Sequence, residues 1–459
     1  MKLSKSEKTK IEKCFDETFS PLISKLPKLE VKFYKYDQPI TVIDTTPPPN
    51  HYPIYSSDTF SYTSFSTYPY RNEKKMGDPI CDKGKGAIFK NLGIFVLGDG
   101  CGIGPSVCEA ATVAVNTIFS SVIENILMCK NVRDIGKVMV DSVVAGHVAI
   151  IESGNLFHIG TSTILLVTYF YINTQIYLLS LSIGDCHALR YNITTKDVSH
   201  VVGNLRESLE EVPDCGGRIG PFVDKLFPDL RNGDIHICEC NEGDFLVMAT
   251  DGYHDNFDPI ITGKTPKEVS LQYKTWEEAE KDVECSLKKA RFVEEIVMDF
   301  ITNSVSLADF CENTSRYVVN MTTRIRTFME ERQGEKHPKD PHEYPGKCDH
   351  TTVMIFKMER RGDIPEVINC YVPSYSITLF GGNDMEPYNF NHDRGILIHA
   401  HKPRERLVQT PRPDRCRKDI TGENTRSFLN SPVDFDKKKG VALKFCSEGE
   451  IKESDEEKN

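Results

Sequence analysis

"NLGIFVLGDGCGIGPSVCEAATVAVNTI", Asn91 to Ile118, opens as an apolar strand and closes as a helix, with a glycine-rich corner between them that holds one acid, Asp99. Gly93–Leu97 reads as the strand. After the corner, Val107, Ala110, Ala111, Ala114, Val115, Ile118 and Val122 recur at helical spacing and give the helix one apolar face. Corners of this kind usually cradle phosphate. This one lacks the spacing: a GxGxxG begun at Gly98 meets Ile103, one begun at Gly100 meets Pro105, and no GxxxxGK is present. The Asp99 carboxylate would also repel a pyrophosphate at close range. It would attract a hard cation, since Mg²⁺ and Mn²⁺ take oxygen ligands. The corner therefore reads as a metal site, with Gly100 offering a backbone carbonyl that no side chain obstructs. A nucleotide-binding oxidoreductase built on this stretch is excluded on the same grounds.

The arrangement recurs. Apolar strands are followed by "GDC" at Asp185 and "TDG" at Asp251, and "CDHTT" at Asp349 opens a strand. A lone Asp-Gly after a strand is in most cases a plain turn, because both residues suit turn dihedrals. Four acids at the ends of buried strands can converge on one edge of a core. Crowded carboxylates resist ionising unless cations hold them. Two divalent ions bridged by a shared carboxylate meet that condition.

The 459-residue chain is long enough for one large domain with extensions, or for two or three ordinary ones. Hydrophobic residues at 39% and charged residues at 27% allow a real core, and a net charge of -11 argues against a nucleic-acid binder held by bulk electrostatics. The first residues carry lysines with no apolar stretch behind them, so no signal peptide is expected. The longest apolar run, "TILLVTYFYI" from Thr163, is too short to span a bilayer, and no membrane partner is expected. The 15 cysteines include no CxxC pair, which points to reduced thiols in a cytosolic or nuclear protein. Cys238 and Cys240 are spaced for one face of a strand or opposite sides of a loop.

Residues 1–28 read as an amphipathic helix, "VKFYKYDQPITVID" as an extended lead-in and "TTPPPN" as a break. A second helix carries Ile135, Val138, Met139 and Val143 on a stripe. "GTSTILLVTYFYI" and "QIYLLSLSIGDCHALRYN" read as two strands joined by "NTQ", hence antiparallel. "EGDFLVMATDGYHDNF" is a further buried strand ending at an acid. Several helices are expected over 265–331, where Trp276, Ala279, Val283, Leu287 and Ala290 run at helical spacing. A loop then leads into the strand "CDHTTVMIFKM". Beyond it, "VINCYVPSYSITLF" reads as strand and "SEGEIKESDEEKN" as a disordered acidic tail. Elements in runs, not strict alternation, favour α+β with antiparallel sheets.

In order along the chain, "FVLGDGCG", "TSTILLV", "LLSLSIGDCHALRY", "FLVMATDGYHD" and "DHTTVMIF" resemble the motifs of the metal-dependent protein phosphatases of type 2C, the PPM family, from about Tyr55 to Met358. The resemblance implies an α+β fold in which two antiparallel β-sheets pack as a central sandwich flanked by helices. It divides the chain into a lead-in at 1–50, a phosphatase-like domain at 51–360 with a helical flap or insert at 265–331, and an extension at 361–459. The two ends dock on the domain or recruit a partner. Asp99 then resembles the carboxylate bridging two metals, and Gly100 the residue that ligates through its carbonyl. Asp251 and Asp349 resemble ligands of the first metal, and Asp185 an acid that holds a third, weaker one.

The family's R-x-x-x-E-D element, whose Arg holds the substrate phosphate, is altered here to "YPYRNEKKMGDPICDKG". Arg71 is the candidate phosphate arginine, at a spacing that is not the family's. Asp82 and, as an alternative, Asp78 are candidates for the second ion, neither with Glu before it; Glu73 is a third. His350 replaces the Asn after the last acid, "YH" replaces a Trp after Asp251, and Asp255 is read as a cap or a supporting acid. His254 and His350 are read as structural histidines at least as readily as site residues. The implied activity is hydrolysis of phosphoserine or phosphothreonine in a phosphoprotein by a metal-activated water, with two Mn²⁺ or Mg²⁺ ions per domain, in a monomer. The alternative is a pseudophosphatase of the same fold that binds or regulates; the three retained acids Asp99, Asp251 and Asp349 argue against it.

Overall fold

Leu92–Gly98 is buried along its whole length. A strand covered on both faces needs no polar alternation, which is why this stretch reads as an unbroken apolar run. The computed structural model describes residues 2–33, 38–44, 54–153, 159–202, 214–282 and 284–360. The expected strand after 361 and the acidic tail lie outside these residues.

In chain order the first strands are β1 (Thr41–Asp44), β2 (Ile54–Ser56), β3 (Phe60–Ser66), β4 (Tyr70–Arg71), β5 (Lys74–Lys75), β6 (Lys83–Ile88) and β7 (Leu92–Gly98). Then come β8 (Ile164–Ile172), β9 (Gln175–Ile183), β10 (His187–Asn192), β11 (Asp197–His200), β12 (Arg218–Val223), β13 (Phe227–Asp229), β14 (Asp234–Cys240), β15 (Phe245–Ala249) and β16 (His350–Lys357). One sheet runs β1-β6-β7-β8-β9-β14 and the other β11-β10-β15-β16-β3-β2, with two small hairpins, β4-β5 and β12-β13. The pairs are antiparallel throughout both large sheets. This is the α+β sandwich expected from the sequence.

Alternation along the strands sorts the core into layers. Phe95, Leu97, Leu165, Val167 and Tyr169 meet Leu246, Met248, Met354 and Phe356 between the sheets. The Phe95 and Phe356 rings lie with centroids 3.8 Å apart. The other face of the first sheet, with Ile94, Val96 and Leu166, packs on helices. These are α1 (Lys5–Lys25), α2 (Pro105–Ile126) and α3 (Val132–Ser153). The outer face of the second sheet, with Leu189, Val247, Val353 and Ile355, joins Val293, Val297, Phe310 and Val318. Those last residues belong to α6 (Cys285–Asn303) and α7 (Leu307–Met321), which are flanked in sequence by the short α4 (Asp251–His254) and α5 (Trp276–Ala279) and by α8 (Thr323–Glu331).

The N-terminal helix starts on a capping box: Ser4 Oγ accepts from the Glu7 amide at 3.3 Å while Glu7 accepts from the Ser4 amide at 2.7 Å. It buries Ile11, Phe15, Phe19 and Leu22 in the core over the first sheet, and β1 pairs on β6 at that sheet's edge. The lead-in thus docks on the sandwich. Among the described residues α2 is the one helix long and apolar enough to cross a membrane by length and composition; here it buries Ala110, Ala114, Val115, Ile118 and Val122 against the sheet.

One expectation is corrected. "QIYLLSLSIGDCHALRYN" is not one strand: β9 belongs to the first sheet and β10 to the second. Both halves are apolar because both lie in the core. The break falls at Gly184, whose φ of +106° is the left-handed turn conformation glycine tolerates. The several helices expected over 265–331 are present, and the periodic run from Trp276 to Ala290 is divided between two of them. It stops at Ala279 and resumes at Cys285, because Trp276 and Ala279 pack into a separate small core with Ile260, Val269 and Leu271.

Phe95→Ala should destabilise the domain by about 3–5 kcal/mol, the usual cost of emptying a phenylalanine site in a core. Equilibrium urea denaturation measures it.

Candidate metal centre

The register decides which acids meet. Lys83 pairs with Gly98 across β6 and β7, so Asp82 and Asp99 sit at the same end of neighbouring strands. His187 pairs with Ala249 and Ala249 with Val353, which brings the start of β10, the end of β15 and the start of β16 to one edge of the second sheet. Asp185 lies in the crossover between the sheets, Asp251 opens α4, and Asp349 precedes β16. Asp99, Asp185 and Asp251 each offer a carboxylate oxygen within 4.8 Å of the others.

Asp82 is wholly buried, and its Oδ2 accepts from Thr250 Oγ1 at 2.8 Å. Asp349 Oδ1 accepts from the Tyr68 hydroxyl at 2.9 Å, and Asp349 N donates to Thr67 Oγ1 at 2.8 Å. His350 is structural. Its Nδ1 accepts from the Cys81 amide at 3.4 Å, which leaves Nε2 protonated to donate to the Gly77 carbonyl at 2.7 Å. It thereby ties the segment that carries Asp82 to β16. Gly252 has no room for a side chain: a Cβ there would stand 1.8 Å from the His350 carbonyl oxygen.

Burial first, and then the charges of Asp251, Asp82 and Asp349, push the Asp99 carboxyl well above the usual carboxylate range. Burial raises Asp82 to about 6 against the opposing pull of His350 and the Thr250 hydrogen bond. Asp349 is also raised by burial, with Lys347 opposing. Such a group of oxygens holds its protons more tightly than isolated carboxyls do, and cations among it favour the ionised form. Asp82 Oδ1 has no hydrogen-bond partner among the described residues. Hard donors, burial and mutual repulsion fit a divalent ion such as Mg²⁺ or Mn²⁺.

One flank of the cluster is held differently. Lys347 Nζ bonds Asp251 Oδ2, lies 2.9 Å from Asp349 Oδ2 and 3.1 Å from Asp255 Oδ2. An ammonium therefore sits between the two acids expected to share the first ion. Asp255 is both the C-cap of α4, its amide donating to the Asp251 carbonyl, and a partner of this lysine. The sequence reading missed Lys347, although "GKCD" signalled it: in an extended segment residues two apart share a face.

Arg71 lies on the β4-β5 hairpin and makes no ion pair with these acids among the described residues. Glu73 and Asp78 are exposed, so neither joins the buried cluster; Asp82 does. With Asp82 as the last acid of the R-x-x-x-E-D pattern, Cys81 stands in the Glu position and Gly77 in the Arg position. Gly77 has φ +86°, and a Cβ there would meet the Tyr68 ring at 2.4 Å, so no arginine fits.

No family model matches the sequence, and no curated protein does. Solved structures do. The resemblance is to PPM phosphatases. The catalytic domain of serine/threonine protein phosphatase PstP in complex with two manganese ions is 12% identical, with TM-score 0.35, covering 65% of this chain and 97% of that one. The S. agalactiae serine/threonine phosphatase is 12% identical, with TM-score 0.37, over 65% of this chain and 100% of its own. The PPM Ser-Thr phosphatase MsPP from Mycobacterium smegmatis, in complex with cacodylate, is 12% identical, with TM-score 0.34, over 66% of this chain and 100% of its own.

Lys347→Met should bind Mn²⁺ at least about tenfold more tightly, a change of about 1.4 kcal/mol, because the ion no longer displaces an ammonium; isothermal titration calorimetry reads it. The pH dependence has a definite sign. Asp82 and Asp99 hold protons more tightly folded than unfolded. The metal-free native state therefore carries extra protons between the ordinary carboxylate range and about pH 6, and its stability falls as pH rises through that window. Melting temperatures in chelator should drop from pH ~4.5 to pH ~7, and saturating Mn²⁺ should remove the drop.

Proposed function

We propose that this chain is a metal-dependent protein serine/threonine phosphatase of the PPM type, using Mn²⁺ or Mg²⁺ on phosphoserine or phosphothreonine in protein substrates. The observation that carries the reading is the gathering of Asp82, Asp99, Asp185, Asp251 and Asp349, from five separate stretches of chain, at one edge of a sandwich. When bound, divalent ions acidify a water and offset the negative charge that builds on the phosphoryl oxygens. The chain supplies the frame. Asp99 stands centrally, with Asp251, Asp82 and Asp349 as its charged neighbours. Thr250 orients Asp82, and Tyr68 orients Asp349. His350 fixes the segment between Gly77 and Asp82. No side-chain nucleophile is required. Phosphate capture is assigned to Arg71 on the β4-β5 hairpin. Free cysteines support a place in the cytosol or nucleus, and a monomer is part of the same proposal.

A second reading, a pseudophosphatase that binds without turnover, is favoured by specific observations. They are the Lys347 ammonium between Asp251 and Asp349, and glycine and cysteine where the family pattern has arginine and glutamate.

Hydrolysis of p-nitrophenyl phosphate and of a phosphothreonine peptide, with Mn²⁺, Mg²⁺ or chelator, tests the first reading against the second. Slow turnover that prefers Mn²⁺ and falls to background in Asp99→Asn and Asp251→Asn is the expected result. Metal binding without turnover at any Mn²⁺ concentration selects the second reading.

A further inference from the structure

Behind the acids lies a group of three histidines that the phosphatase reading does not use. His187 opens β10, His200 closes β11, and His254 closes α4. The two strands are antiparallel neighbours, and Leu189 faces His200. His187, two residues from Leu189, therefore shares the face that carries Leu189 into the core under α6. His254 comes down on the same spot from the one-turn helix that Asp251 begins. Each of the three rings offers a nitrogen within 4.8 Å of the other two.

We propose that His187, His200 and His254 form a separate, nitrogen-donor metal site whose occupant is Zn²⁺. The histidines line a cavity of about 20 Å³ together with Asp255, Asp258 and Lys289. That is room for one ion or one water. Neither ring nitrogen of His200 has a hydrogen-bond partner among the described residues, so its acceptor nitrogen is unused. A metal ion would take up the lone pair of the nitrogen that carries no proton.

The donor set separates this site from the carboxylates. Imidazole suits zinc and its transition-metal neighbours, whereas magnesium and manganese take oxygen. Burial, and then His187, push the His200 ring down to about 3. His187 and His254 stack face to face at 3.3 Å, an arrangement two imidazolium ions would not tolerate. His200 stands edge-on to both, 5.8 Å away. The stack already gives about the nitrogen spacing of a tetrahedral zinc, roughly 3.4 Å, but the in-plane lone pairs of parallel rings run parallel, so one ring would have to tilt for all three to bind one ion. The charges facing the cavity are Asp255, which pairs with Lys347, and Asp258, which pairs with Lys289 at 3.4 Å. They leave no net positive charge to repel a cation.

The site braces the catalytic face. Four residues of α4 carry both His254 and Asp251, so an ion that joins His254 to β10 and β11 also fixes where Asp251 points.

The full-length chain, stripped with chelator, is loaded with Zn²⁺ under excess Mg²⁺, and zinc is counted by mass spectrometry. We expect one tightly held zinc per chain in the native protein and in Asp99→Asn. His200→Gln should lose it while keeping Mn²⁺ binding at the acids. Zinc-edge X-ray absorption on the native protein should show imidazole scattering, a readout that holds even if His200→Gln fails to fold. Equal zinc content in native protein and His200→Gln, no retained zinc, or a shell of oxygen alone overturns the proposal. Phosphatase activity enters none of these outcomes, so they are separable from the fate of that reading.

Discussion

Mutual repulsion among buried carboxylates is the constraint around which this domain is arranged. Asp82, Asp99, Asp251 and Asp349 act on one another's charge at an edge where little water reaches. No packing gain explains such a group, since each acid would be better solvated apart. The surrounding polar side chains serve it: Thr250 holds Asp82, Tyr68 holds Asp349, and His350 clamps the Gly77 carbonyl. The chain has met part of the electrostatic demand itself. Lys347 reaches three of the acids, Asp251, Asp255 and Asp349, and turns one flank of the cluster into an internal salt.

That lysine changes what the centre is. An ammonium is a single charge that cannot act as a Lewis acid. It can neutralise the site but not do the chemistry of a divalent ion. Phosphatase and silent binder thus differ here by the competition between one side chain and one ion for the same pair of oxygens.

Much of this was legible in the sequence, for identifiable reasons. Strands covered on both faces lose their alternation, so β7, β8 and β15 stood out as apolar runs, and the acids just after β7 and β15 were conspicuous. The helix from Pro105 announced itself by its spaced alanines. The rest depended on pairing across the sheets. The choice between Asp78 and Asp82 required the β6-β7 register, which sequence spacing does not contain. The break between β9 and β10 was hidden because both halves are equally apolar, and Gly184 was its only mark. The run at Trp276 kept helical spacing, yet its first turn belongs to a separate small core. The histidines come from three distant stretches, and none has a motif of its own.

The crossover at Gly184, Asp185 and Cys186 carries a mechanical consequence. It is a splice: one end is sewn into the first layer through β9 and the other into the second through β10. Asp185 rides on the seam, while Asp99 belongs to one layer and Asp251 to the other. If the two layers slide past each other by even a fraction of a residue, the three oxygens cannot all keep their spacing. The acidic edge therefore works as a gauge of alignment between the layers, and a force that shears the sandwich is felt there before any strand comes apart.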